Sequence, residues 1–251
     1  MHAHPRPCFN LELLTDMMSI GRAARNSALP IDFWVTGSTM PGLYNVGGDL
    51  AHFAKHIRAG DRAQLMAYAR ECVDVVYEIM NGFGVGAITM AMVEGTALGG
   101  GFECALAHDY ILAQKDAKLG FPEIAFNLYP GMGAYSHVAR KAHMRLAEQL
   151  INTGKSHTAE WHHEKGLVDC LFERENAYQV TRTFIDGMRP RLNSIRAMLR
   201  TRRRVLPVTK AELLHITEDW ADSAFQLQEK DLAYMERLVA LQNKRSVAQR
   251  S

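Results

Sequence analysis

The chain has 251 residues, of which 47% are hydrophobic and 22% charged, the proportions of a globular protein with a full core. This excludes collagen-like, low-complexity and disordered chains, and the length fits one large domain or one domain with a helical appendage. With 29 basic and 27 acidic residues the net charge is only +2, so a basic field over the whole surface is not expected and only local basic patches remain.

The four cysteines, Cys8, Cys72, Cys104 and Cys170, lie far apart with no CxxC pair, a pattern of reduced thiols in a cytosolic protein. No apolar run approaches the ~18 residues that a membrane span needs. The start, Met1-His2-Ala3-His4-Pro5-Arg6-Pro7, lacks the apolar core of a signal peptide. The expected location is therefore the cytoplasm.

In chain order, Leu11, Leu13, Leu14, Met17, Met18 and Ile20 predict a first helix, followed by an extended apolar stretch, Ile31 to Thr36. Gly37-Ser38-Thr39 ends that stretch, and a glycine loop follows around Gly47-Gly48. Between Asp61 and Met80 apolar residues recur at helical spacing, and Gly82 to Gly86 stops that helix. Ala87 to Val93 is continuously apolar, which predicts a strand buried on both faces, as in a parallel sheet covered by helices. Gly99-Gly100-Gly101 opens a short helix to Ala107, Asp109 to Ala113 is another strand, and Leu167 to Phe172 one more. The alternation predicts crossover units in an α/β core. Beyond about residue 174 only helix is predicted, broken at Pro190 and Pro207. Thr209-Lys210-Ala211-Glu212 matches a capping box that starts a helix running to Leu241.

Three glycines at a helix start let backbone N–H groups approach a ligand oxygen, and they serve equally as a tight turn packing helix on sheet. A phosphate loop would need Gly-Lys-Ser/Thr where Phe102-Glu103 stand. Glu123 follows Pro122, which places it on a rigid loop or at a helix start. By itself it reads as a helix-start charge. With Glu103 near one oxyanion site, it would suit proton removal and delivery on adjacent carbons. His162-His163-Glu164 is not a zinc motif, Ser136-His137 lacks a nucleophile elbow, and Cys104 reads as a core thiol. Arg196, Arg200, Arg202, Arg203 and Arg204 read as a solvated face that could also meet an acidic carrier protein or a phosphate.

Val93-Glu94-Gly95-Thr96-Ala97-Leu98-Gly99-Gly100-Gly101-Phe102-Glu103 resembles the signature of the crotonase (enoyl-CoA hydratase/isomerase) superfamily. Val46-Gly47-Gly48-Asp49-Leu50 is similar to that family's other oxyanion loop, and Thr158 to Val168 to its helix–Gly-Leu-Val segment. Within the superfamily, Phe121-Pro122-Glu123, Tyr129 to Ser136, Ile216 to Trp220 and Gln226 to Lys230 resemble the diffusible signal factor synthases over nearly the whole chain. The segment from Pro5 to Asn10 corresponds to one that usually follows two strands, so the chain reads either as an N-terminally short version or as one whose start is misplaced, which leaves one sheet edge in question.

The resemblance implies a crotonase-like ββα spiral core over residues 1–189 and a C-terminal α-helical module over 190–251. It implies a dehydratase and thioesterase that converts a 3-hydroxyacyl thioester of acyl carrier protein into a free cis-2-unsaturated fatty acid, a quorum-sensing signal. Glu103 and Glu123 would be the catalytic pair, Gly48 and Gly100 the oxyanion hole, and Met132, Trp220 and Leu238 the acyl tunnel. Acyl carrier protein, a fatty acyl thioester, a homotrimer or hexamer and a regulatory sensor kinase are the implied partners. No metal or cofactor is needed beyond the phosphopantetheine of the substrate, and neither nucleic acid nor membrane is expected. Two rivals remain: an enoyl-CoA hydratase or isomerase that releases no free acid, and an idle fold binding RNA or protein through the 196–204 arginines.

Overall fold

The computed structural model describes residues 1–3 and 6–248, with side chains to Gln242. His4 and Pro5, part of the opening segment read above, and residues 249–251, the end of the expected C-terminal module, lie outside the described residues.

Helix α1 (Leu11–Arg25) starts where the Asn10 side chain accepts the Leu13 N–H, and buries Leu13, Leu14 and Met17. Strands β1 (Phe33–Thr36) and β2 (Leu43–Asn45) precede α2 (Leu50–Arg58), capped by Asp49, and α3 (Arg62–Met80), capped by Asp61. Next come β3 (Ile88–Val93), β4 (Thr96–Leu98), α4 (Gly100–Ala107), β5 (Tyr110–Gln114) and β6 (Lys118–Gly120). A 3₁₀ turn over Pro122–Phe126 leads on to α5 (Ala134–Lys141) and α6 (Met144–Thr153). The remainder is β7 (His157–Thr158), α7 (Ala159–Glu164), β8 (Cys170–Phe172), α8 (Ala177–Met188), α9 (Leu192–Val205), α10 (Lys210–Ala224) and α11 (Glu229–Ala248).

The strands form two four-stranded sheets, ordered β1-β3-β5-β8 and β2-β4-β6-β7. Every pairing is parallel except β6 with β7. Because β1, β3 and β5 belong to the first sheet and β2, β4 and β6 to the second, each strand pair crosses from one sheet to the other. The chain thus climbs as a spiral of ββα units. β3 lies between β1 and β5, with Ala91 facing Ile111 on one side and Thr36 on the other. It is buried at nearly every position, which accounts for its unbroken apolar sequence. β1 forms an edge of its sheet.

The C-terminal helices fold back on this core: α10 packs on α3, and α11 on α2. The capping box that opens α10 is only half formed. Thr209 Oγ1 accepts the Glu212 N–H at 3.0 Å, but the Glu212 carboxylate turns away to Arg140 at 2.8 Å and to Ser136. The arginine run is likewise not simply a solvated face. Arg202 and Arg203 converge on Asp109, which is 3% exposed, and Arg196 pairs with Asp32. Among the described residues no helix is long and apolar enough to cross a membrane.

Helix α4 rests directly on β2, since a Cβ on Gly101 would lie 2.1 Å from the carbonyl oxygen of Asn45. Gly101→Ala is therefore expected to destabilise by about 1–3 kcal/mol, as overpacking against rigid backbone does. Gly187→Ala, in α8 with nothing within 4 Å of the new methyl, is expected to be neutral or to gain up to about 1 kcal/mol. Paired thermal melts of the two variants check both signs.

Candidate active site

Glu103 stands in the first turn of α4 and is 1% exposed. Its Oε1 accepts two backbone N–H groups, from Met132 at 2.8 Å and Ala134 at 2.9 Å. Both donors belong to the turn entering α5, where Gly133 has φ +101 and a Cβ would strike Leu213 at 2.4 Å. Burial pushes the Glu103 carboxyl up to about 7, against the pull of the Ala134 and Met132 N–H groups.

Glu123 follows Pro122 in the 3₁₀ turn. It is half-buried overall, but its Oε2 is inaccessible and has no hydrogen-bond partner. Burial first, and the charge of Glu103 second, push it up to about 8. The carboxyl approaches the glycine loop so closely that a Cβ on Gly99 would lie 2.3 Å from Glu123 Oε1, and Gly99 also has φ +52. Near neutral pH the pair therefore carries about one proton between its members. Glu103, whose Oε1 takes two N–H donors, is the better site for the charge, and Glu123, whose Oε2 has no partner, for the proton.

The loop after β2 borders the same cavity as this pair. Asn45 Oδ1 accepts the Gly47 N–H at 2.8 Å, and Gly47 O accepts the Phe9 N–H at 2.8 Å. Tyr68 Oη donates to Phe9 O at 2.5 Å and accepts the Asp49 N–H at 3.1 Å. Asp49 caps α2 and is held through both carboxylate oxygens by Arg6, at 2.9 and 2.8 Å. As the first residue of α4, Gly100 has an N–H with no acceptor inside its own helix. A Cβ on Gly100 would lie 3.5 Å from Gly48 N, and one on Gly47 2.9 Å from Gly100 N. The two loops thus meet main chain to main chain, an arrangement able to hold an oxygen that gains negative charge.

A cavity of about 260 Å³ joins these parts, and Glu103, Glu123, Gly48, Gly100, Met132, Trp220 and Leu238 all line it. Trp220 reaches over Gly131, where a Cβ would lie 2.5 Å from its ring, and meets Phe53 edge-on at 5.0 Å between centroids. Thr217 Oγ1 lies 2.9 Å from Gly131 O, so α10 clasps the loop that carries Met132. Across the cavity, α11 supplies Tyr234, Leu238 and Leu241, and Arg58 of α2 pairs with Glu229 and Glu236 of α11.

Sequence reasoning did not single out Tyr68, the Arg6–Asp49 pair or the Ala134 amide. Only the Gly131-Met132-Gly133 pattern could have hinted at the last. Ser136 and His137 form no triad, since Ser136 serves Glu212. Cys104 is fully buried, as a core thiol. Among the described residues no three His, Cys, Asp or Glu side chains are grouped as a metal site requires.

A ββα spiral in which two glycine loops and two carboxyls share one cavity is the architecture of the crotonase class. The enoyl-CoA hydratase/isomerase family model matches residues 5–240, and the chain belongs to that family. Human mitochondrial delta3-delta2-enoyl-CoA isomerase is similar in structure, with a TM-score of 0.75 at 18% identity over 95% of this chain and 92% of its own. Enoyl-CoA hydratase from Bacillus anthracis gives 0.70 at 20% identity, over 94% of this chain and 88% of its own. DspI of Pseudomonas aeruginosa gives 0.71 at 22% identity, over 88% of this chain and 82% of its own.

The raised Glu123 carboxyl has a consequence for stability. Folding favours its protonated form, so this group's contribution is fully present below its unfolded value and is lost as pH rises from about 4.5 through about 8. Glu123→Gln is therefore expected to melt close to the parent at pH 5 and clearly above it at pH 9. Melting temperatures of both proteins across that range check the sign.

Proposed function

We propose that the chain removes water from a 3-hydroxyacyl thioester of acyl carrier protein and then hydrolyses the cis-2-enoyl thioester, releasing a free unsaturated fatty acid. The observation that carries this reading is the pair of buried carboxyls, both shifted toward neutrality, on the cavity that the two glycine loops border. In the first step one carboxylate takes the C2 proton while the N–H groups of Gly48 and Gly100 stabilise the charge growing on the thioester oxygen. The other carboxyl gives its proton to the departing C3 hydroxyl, which leaves as water. In the second step a carboxylate takes a proton from water, whose oxygen adds to the thioester carbon. The same two amides hold the tetrahedral oxygen until the thiolate of the carrier's phosphopantetheine leaves with a proton. Met132, Trp220 and Leu238 form the wall for the acyl chain. The resemblance of Phe121 to Glu123, Tyr129 to Ser136 and Ile216 to Trp220 to the diffusible signal factor synthases supports carrier protein and hydrolysis.

A second reading, hydration or isomerisation of coenzyme A esters without hydrolysis, is favoured by the family match itself. Mass spectrometry of products from a 3-hydroxyacyl carrier-protein substrate separates the two: free cis-2-enoic acid is expected, and intact thioester throughout rejects the proposal. Glu103→Gln and Glu123→Gln are each expected to lower acid release by about 10²–10⁴-fold with the fold retained. Normal turnover by either variant removes that residue from the chemistry. Trp220→Ala and Leu238→Ala are expected to shift chain-length preference toward longer acyl groups, read from the product profile, by about 1–3 kcal/mol per methylene accommodated.

A further inference from the structure

A second cavity, of about 280 Å³, lies where α4 and α5 end. Its wall includes Asp109 just beyond α4, Arg140 and Lys141 in the last turn of α5, and Arg202 and Arg203 of α9. Asp109 accepts from Arg202 at 2.8 Å and from Arg203 at 3.0 and 3.1 Å, so one carboxylate serves two guanidinium groups. Each arginine meets it through a single nitrogen, which leaves the other N–H groups of the planar fork for a further acceptor. Arg140 is committed to Glu212 and to Ser136 O.

Lys141 differs from all of these. The hydrogen-bond partners of its ammonium are carbonyl oxygens, His108 O at 2.9 Å and Asp109 O at 3.5 Å, and Asp169 acts on it only through space. Burial lowers it to about 8, so it is still mostly charged at pH 7. This half-buried ammonium, held by carbonyl oxygens alone, borders the cavity and keeps donor capacity for a further acceptor. Lys141, Arg202 and Arg203 face two carboxylates, Asp109 on the cavity wall and Asp169 acting through space, so positive charge stays in excess for a phosphate-type anion. Leu206, Pro207 and Val208 add an apolar flank, so the volume takes a phosphate with a small organic group as well as the bare ion.

We propose that this cavity is a second binding site, for a phosphate-type dianion held between Lys141 and the Arg202–Arg203 pair. The inference is independent of the chemistry proposed for the first cavity. The test compares melting of the purified full-length protein in inorganic phosphate, in phenyl phosphate and in sodium chloride at equal ionic strength and pH 7. A saturable rise of about 3 °C over chloride is expected for a ligand at roughly ten times its dissociation constant. A larger rise with phenyl phosphate identifies a phosphomonoester as the fitting ligand, and an equal one the free ion. Lys141→Met, which keeps the length and removes the charge, and Arg202→Gln, whose side chain is 38% exposed, should each lose most of the rise. Turnover in chloride should be unchanged in Arg202→Gln, which also carries the test should Lys141→Met fail to fold. No anion-specific rise in the parent, or an undiminished rise in Arg202→Gln, overturns the site. So does a crystal structure in phosphate with a partner subunit's carboxylate filling the cavity.

Discussion

The contact on which the site depends is that between Glu103 Oε1 and the N–H groups of Met132 and Ala134. A fully buried carboxyl can hold charge only where that charge finds donors, and these two are fixed in the main chain. They also tie the first turn of α4, which the spiral core positions, to a loop that the C-terminal helices hold. Trp220 presses on Gly131 and Thr217 bonds its carbonyl, so α10 influences the acid that it never touches.

Glu103 and Glu123 are the same residue type given different electrostatic surroundings. One is buried among donors, and the other is buried with an oxygen that has none and beside its neighbour's charge. Environments that raise both carboxyls toward neutrality, with the charge favoured on one and the proton on the other, suit acid–base work on adjacent carbons. The glycines contribute by absence of bulk: a side chain at Gly47 would enter the space of the Gly100 amide, and one at Gly99 would displace Glu123.

The long elements were legible because their patterns persist for many residues. β3 and β5 announce themselves as apolar runs, and α3 by helical spacing. The second sheet was not, because β2, β4 and β6 have three residues each, too few for any period to show. Glu103 and Glu123 stood out through the glycines and proline beside them. Tyr68 and Arg6 carry no such local mark, since each acts on a segment far along the chain: Tyr68 reaches Phe9 across 59 positions and Arg6 reaches Asp49 across 43. The arginine run misled in part, because local composition could not reveal that Asp109, buried between strands and helix, would claim two of its members.

The first cavity has walls of two kinds. One side is built of buried main chain, with Glu103 and the glycine loops locked by short-range contacts. On the other, α11 is fastened to α2 by exposed ion pairs, Arg58 with Glu229 and Glu236, while Arg62 of α3 pairs with Asp222 of α10 in the same solvent-facing layer. Such pairs weaken as dissolved salt screens them, whereas contacts on the buried side are screened much less. Dissolved salt therefore loosens only the outer fastening of α11, whose Leu232 and Met235 stay anchored in the core, and the contacts around Glu103 lie beyond its reach.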